Sequence, residues 1–442
     1  PSSFARRSSV FISSSSLPPR RREDPSLLPL LLQERDGRRA REGPQLATPG
    51  PAVHNLPKSE YLVVSTPSLV QVLSRCRRCP SGENNLTFSE DALAVLCKCE
   101  GTSCGFAYVW SNSPVLTTAN ASPREKLRKV NVDMVVGSAV TAIGTSRLNN
   151  FLNAMGLSKV STTTFHRLKN EYLLPAVTEV FTSAQEAVFA RLRDRIAKGE
   201  ALHVAGDSSF DSRGYSAEWC RYFLVDAITG EALVYVLMNK KETGSSGTLE
   251  VASLEKALGI LADKIGGVHN ITTLVTDRHA AVIKMMKGRF PSIHHHFDPW
   301  HFFRNLTLNF LKIIKPAYMD LVKYWWRTLI NKAYEAVVTA QGDGIMAREM
   351  FRSSIFCILG VHDFSNDPSF TKLKKCTHSP PPANYPYLKK DSDEYNRLII
   401  VIYTEKNLDD IMHVSWLLKT STCESLNALA WRYSPKECYF DR

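Results

Sequence analysis

A mixed α/β fold is what this sequence predicts, with elements in the order β-β-β-α-β-α-β between Ala201 and Leu306. Three observations predict it. The short apolar runs ALHVAG, WCRYFLVDA, EALVYVLMN and ITTLVTD have the length and the β-branched, aromatic make-up of strands. TLEVASLEKALGILADKIGG and RHAAVIKMMKGRF carry apolar residues at helical spacing. ITTLVTD barely alternates, as a strand covered on both faces in a parallel pairing would not.

The chain has 442 residues, enough for two or three domains, and 44% of them are hydrophobic, enough for a real core. Its formal net charge of +12 and pI of about 9.2 suit a polyanionic partner and say nothing about fold. No apolar run approaches the ~20 residues of a membrane span, so no membrane partner is expected. Five of the ten cysteines lie between Cys76 and Cys104, which reads as metal ligation in a reducing compartment and not as a disulfide framework. The chain opens on proline and stops at YFDR just after a Pro-Lys pair, which reads as a fragment of a longer product.

Residues 1–55 are rich in Ser, Pro and Arg and cannot bury enough apolar surface to offset the entropy of ordering. A disordered basic tail is expected there. Its RR and RRR clusters read either as a nuclear-import or phosphate-binding arm or as a solvated tail.

Residues 56–115 form a cysteine-rich segment. Cys76-x2-Cys79 gives one tight knuckle, and Cys97-x-Cys99-x4-Cys104 gives a second, on β-rich sequence. Four thiolates on two knuckles suit a small zinc ribbon. Cys76, Cys79, Cys99 and Cys104 are the expected ligands, with Cys97 as the alternative.

Residues 125–198 read as helical. VNVDMVVGSAVTAIG and SRLNNFLNAMG are followed by a turn at Gly156 and by a helix that Ser161 would cap. Two short helices across a turn resemble a helix-turn-helix, and equally a plain helical hairpin. TEVFTSAQEAVFARLRDRIAKG leads as a long helix into the central segment.

In residues 199–306 the first strand is expected to end at Asp207 and the fourth at Asp277, with ITGE as a tight turn between the second and third. His294 to His296 alternate along a last short strand and are read as strand residues, not ligands. Residues 307–415 look like an all-helical insertion, and in residues 416–442 Glu424 opens a helix. This order is the layout of a ribonuclease-H-like core, interrupted by helices and preceded by the zinc ribbon and the helical segment.

Carboxylates at strand ends are aimed at a rim by a rigid backbone, and two or three on neighbouring strands make a divalent-cation site. In a ribonuclease-H-like core three of them bind two Mg2+ (or Mn2+) ions about 4 Å apart. Asp207, Asp277 and Glu424 fall in the required order. Asp211 competes with Asp207 for the first position. Asp298 is a fourth acidic neighbour or a structural anchor, and His301 contacts a phosphate or orders Asp298.

GDSSFDSRGYSA, LVTDRHAAV, FPSIHHHFDPWHFFRNL and TSTCESLNALAWRYSPK together resemble the DDE transposases, nearest to the Mutator-like group and the zinc-ribbon insertion-sequence transposases. The "D-x-W-H" and "E-S-x-N" segments carry much of the likeness, which covers about residues 60–442. The resemblance implies a cut-and-paste transposase: metal-dependent cleavage and strand transfer on double-stranded DNA, at transposon ends and target, with catalytic places at Asp207, Asp277 and Glu424. It further implies action in the nucleus and a dimer or higher oligomer to pair two ends. Such cores often carry D-G-T or D-G-R at the first acid, where this chain has Ser208 and Ser209. The alternative is a domesticated or decayed DNA-binding protein without nuclease activity. A ribonuclease-H-like exonuclease fits less well, because those enzymes place a second acid two residues after the first.

Overall fold

The computed structural model describes residues 59–79, 81–116, 127–212, 216–315, 319–376, 378 and 384–433. The basic tail expected over 1–55 and the end of the chain from residue 434 lie outside these. The chain divides into two units, Pro1–Gln71 and Val72–Arg442. The β-branched stretch after Tyr61 turns helical at Thr66, where the Ser65 hydroxyl accepts from the Ser68 amide and Pro67 suits an opening helical turn. This helix, α1, is Thr66–Leu73.

The second unit begins with an antiparallel meander, β1 (Asn84–Asp91), β2 (Ala94–Gly101) and β3 (Ala107–Ser111), in that order across the sheet. A short ladder then pairs β4 (Val115–Leu116) with β5 (Leu127–Arg128). Helices α2 (Lys129–Val140), α3 (Thr145–Ala154), α4 (Thr162–Leu168) and α5 (Leu174–Ala197) follow. Buried Asn131 on α2 accepts from Leu93 N and donates to Asp91 O, which ties α2 to the β1–β2 turn. Ser161 caps α4 by accepting from Thr164 N, as its position before TTTF predicts.

The central sheet has five strands: β6 (Leu202–Phe210), β7 (Trp219–Asp226), β8 (Ala232–Asn239), β9 (Ile271–Thr276) and β10 (His294–Phe297). Their order is β10-β9-β6-β7-β8. β6, β7 and β8 form the expected antiparallel meander, and Gly230 takes a positive φ of 75° in the turn between the last two. β9 and β10 join in parallel beside β6. Helices α6 (Leu249–Ile265) and α7 (Ala280–Arg289) make the crossovers, and α6 stops at left-handed Gly266. The core beneath is continuous, from Phe189 and Leu192 of α5 through Leu224, Val234, Leu254 and Leu258 to Leu274 and Met286.

The first strand does not end at Asp207, as the sequence suggests. It runs on to Phe210 because β7 continues to offer partners, with Asp207 opposite Phe223 and Phe210 opposite Cys220. Gly206, just before, has no room for a side chain. A Cβ there would lie 2.8 Å from the Tyr222 hydroxyl and 3.0 Å from Leu224 Cδ2. Both neighbours are buried and neither can swing away. Gly206→Ala is therefore expected to destabilise by roughly 1–3 kcal/mol through overpacking, read as a lower chemical-denaturation midpoint at unchanged slope.

After β10 the chain leaves the sheet and builds a helical unit: α8 (Pro299–Ile313), α9 (Asp320–Ala340), α10 (Gly344–Cys357), α11 (Asp393–Val401) and α12 (Glu405–Asp410). Its own core packs Phe303, Phe310, Trp325, Leu329, Phe351 and Leu398. The chain then rejoins the sheet next to the point of departure. Val414 bridges Phe297, and Ser415 N donates to Phe297 O. Helix α13 (Ser421–Tyr433) crosses back over β6 and β7, where buried Cys423 lies 3.4 Å from Ala205 O and packs with Val225, Val275 and Leu418. No helix among the described residues is long and apolar enough to cross a membrane.

Candidate functional site

Two constellations emerge. The first is on the cysteine-rich meander. A backbone turn closes on Cys76, whose N–H donates to Gly82 O, while Gly82 N donates to Cys79 O. The thiols of Cys76, Cys79 and Cys104 all come within 4.8 Å of one another, with Cys76 and Cys104 sulfurs 3.6 Å apart. The surroundings leave space for them. A Cβ on Gly101 would lie 2.9 Å from the Cys104 sulfur and 3.2 Å from that of Cys76, and one on Gly82 would collide with Cys79 Cβ at 2.8 Å. The Arg78 and Cys79 amides directed at Cys76 hold its thiol below the usual range. Such a group could hold a zinc ion.

Cys99 is not the fourth member of that group, contrary to expectation. Cys97 and Cys99 are two residues apart on β2, so both point to one face. Both are buried there, and the Cys99 thiol donates to the Cys97 sulfur at 3.7 Å. Burial, then the neighbouring Cys99, pushes the Cys97 thiol up to about 11. Gly101, two residues further along, occupies the corresponding place beside Cys76 and Cys104.

The second constellation is at one end of the central sheet. β9 pairs with β6 so that Leu274 faces Val204 and Val275 faces Ala205. Continuing that register by two residues sets Asp277, just past the end of β9, level with Asp207. β10 pairs His296 with Val275 and Phe297 with Thr276, which sets Asp298 level with Asp277. Asp207 on β6 and the residues just past β9 and β10, Asp277 and Asp298, thus stand in a row across three adjacent parallel strands.

Helix α13 brings Glu424 to this row. Asn427, one turn on, donates from Nδ2 to Asp207 Oδ2 at 2.9 Å, and Trp431, a further turn on, donates to Ser209 Oγ at 2.6 Å. Residues at this spacing share one helix face, and the face is turned onto β6. Ser209, two residues after Asp207, thereby receives the tryptophan that seats the helix. His301 on α8 stands between the other two acids, with Nε2 3.3 Å from Asp277 Oδ1 and 3.2 Å from Glu424 Oε1. His301 joins Asp277 to Glu424, and Asn427 ties Asp207 to the helix that carries Glu424. The site is open, since Glu424 is 46% exposed.

Asp298 faces inward and is 2% exposed. It caps α8 by accepting from His301 N at 3.0 Å, and its other oxygen accepts from Thr420 N at 2.8 Å and Thr420 Oγ1 at 3.1 Å. Of the two roles open to it, it fills the anchor's. Asp211 turns away to accept from Glu218 N at 3.1 Å. Within the histidine run His294 is exposed, while His295 meets Thr276 Oγ1 at 2.9 Å and burial holds its imidazole down at about 4.

Burial dominates the electrostatics, and neighbouring like charge adds to it. Burial, then the charge of Asp277, raises Asp207 to about 7, against the opposing pull of the Asn427 amide. Burial also raises Asp277, with His301 opposing and Asp298 and Glu424 adding to the rise. Asp277 Oδ1 is shielded from solvent and, beyond the 3.3 Å approach of His301 Nε2, which does not meet hydrogen-bond geometry, has no polar partner. Unsatisfied oxygen donors that repel one another are what a hard divalent cation would satisfy.

Residues 61–246 match the family described as Mutator-like transposase, a match that supports a transposase of the Mutator type. The matched stretch contains the cysteine-rich meander, the helices after it and β6 to β8. Asp207 lies inside it, and Asp277 and Glu424 lie beyond it. No curated protein matches the chain.

Proposed function

We propose that this chain is a transposon-derived DDE transposase whose central sheet is a ribonuclease-H-like core, acting in the nucleus on double-stranded DNA at transposon ends and target. On this reading Asp207, Asp277 and Glu424 hold Mg2+ or Mn2+. The observation that carries it is the meeting of Asp277 and Glu424 on one histidine, with Asp207 bonded to the same helix as Glu424. They are 70 and 147 positions apart in sequence (277 − 207 and 424 − 277). The strand order and the return of the chain at Val414 support a core with an inserted helical domain over about 307–415. The meander of 56–115 and the helices of 125–198 are then DNA-binding parts, the former with zinc at Cys76, Cys79 and Cys104.

Divalent cations at the acids would supply Lewis-acid activation of an attacking oxygen and neutralise the leaving one. The chain's own groups do the positioning. Asn427 orients the Asp207 carboxylate and His301 orients those of Asp277 and Glu424. The half-exposed Glu424 leaves the row open to a phosphodiester. The net charge of +12 suits the polyanion. Pairing two ends calls for a dimer or higher oligomer.

A nicking assay on duplex DNA with Mg2+ tests the reading. The wild type is expected to cut and to stop cutting with a chelator, while Asp277→Ala binds DNA with nearly unchanged affinity and does not cut. Equal cleavage by both proteins would remove the catalytic assignment. Binding without cleavage by the wild type would leave the DNA-binding derivative.

A further inference from the structure

Away from both constellations, the helical unit contains a stretch that its own secondary structure does not explain. From Ile358 to Cys376 the chain makes no helix or strand, only a single bridge between Asp363 and Lys375. Structureless stretches longer than about 12–15 residues are uncommon in compact domains unless something holds them. Here three things converge. The buried Glu349 carboxylate on α10 accepts from Thr371 N, Thr371 Oγ1, Lys372 N and Leu373 N at 2.7–2.8 Å. Phe364 stacks on Phe370, and both rings pack against Phe356. The third is a set of four metal-ligating side chains.

Cys357 is the last residue of α10. His362 and Cys376 are brought together by the Cys376 N–H, which donates to His362 O at 2.9 Å beside the bridge. His378 follows two residues on, its ring edge-on to that of His362 with centroids 5.1 Å apart. Ligand atoms of all four lie within 4.8 Å of one another. The two sulfurs are 2.7 Å apart and both cysteines are free. Both ring nitrogens of His362 are shielded from solvent and lack a hydrogen-bond partner, an arrangement that is costly without a ligand.

We propose that Cys357, His362, Cys376 and His378 form a structural zinc site, separate from the cysteine group of the meander, that clips this stretch to the end of α10. The donor set, two thiolates and two imidazoles, is one that tetrahedral zinc accepts, and four protein ligands leave no open place for chemistry. Bonds of ~2.3 Å at the tetrahedral angle hold two sulfurs about 3.8 Å apart, so the ion would spread the pair.

The test uses the whole wild-type chain. It is purified with zinc under reducing conditions and treated with iodoacetamide before and after a chelator, and modification is mapped at each cysteine by mass spectrometry. Cys357 and Cys376 are expected to be protected until zinc is removed. Equal alkylation of both in the two states would overturn the site, as would their recovery as a disulfide. In a second arm, His362→Ala with His378→Ala should lower bound zinc by about one ion per chain, leaving Cys76, Cys79 and Cys104 protected. An unchanged zinc content would also overturn it. If the double variant does not fold, the wild-type protection pattern still decides.

Discussion

Asp207→Asn is expected to lower Mg2+-dependent strand cleavage by on the order of 10^3-fold or more, since a carboxylate ligand to catalytic cations is worth several kcal/mol and each ~1.4 kcal/mol is tenfold in rate. The fold should survive. The new amide oxygen can still accept from Asn427 Nδ2, which now bonds to Asp207 Oδ2 at 2.9 Å. The metal-free variant should be more stable than the wild type near neutral pH. The native Asp207 is raised from 3.8 to about 7, so between those values the folded state keeps a proton that the unfolded state has released. Stability of the metal-free wild type therefore falls as pH rises through that window. Only the ionised carboxylate binds a cation, so stabilisation by Mg2+ should grow as pH rises toward 7 and level off above it. Asparagine removes the part of both slopes that Asp207 contributes. Melting curves from pH 4 to pH 8, with and without Mg2+, check this. A wild-type melting temperature that responds identically to Mg2+ at pH 5 and pH 8 would count against the proposed role of Asp207.

How much of this was legible in the sequence depended on whether the deciding contact was local. ITTLVTD, the turn at Gly230 and the cap at Ser161 are specified by their own neighbours, and the structure has them as expected. The meander's knuckle at Cys76-x2-Cys79 is local as well. What was missed rests on distant pairings. The extension of β6 past Asp207 needs β7 as partner. The place of Cys99 depends on where the folded-back turns at Cys76 and Cys104 meet β2, which is beside Gly101 and not beside Cys99. Asn427 carried a signal in E-S-x-N, because its spacing from Glu424 puts both on one helix face, but its partner is 220 residues away. The second cysteine–histidine group was hidden because Cys357-x4-His362 and Cys376-x-His378 resemble no tight knuckle, and only the bridge at Asp363 brings the pairs together.

Asp298 is where these distant pairings are tied, and Asp298→Ala sets two effects against each other. Removing it relieves repulsion on Asp277, whose carboxyl it helps to raise. Relief alone would make Asp277 a better-ionised ligand. The same change deletes the cap of α8 and strands Thr420, which is fully buried and bonded to Asp298 through both its N–H and its hydroxyl. A lost cap costs about 1 kcal/mol and an unpaired buried donor about 1–3, so the net should be destabilisation of roughly 2–4 kcal/mol. Function should also be lost beyond what unfolding explains. His301 hangs from the first turn of α8, and Glu424 follows four residues after Thr420, so one deletion loosens both groups around Asp277. Cleavage is expected to drop by roughly tenfold to a hundredfold even at temperatures where the variant stays folded, since ~1 Å of misplacement can cost about a hundredfold. Asp298→Asn, which retains one accepting oxygen, should fall between. If folded Asp298→Ala cleaves as the wild type does, relief of charge has outweighed anchoring, and the latch between α8 and α13 is not what holds the acids in line.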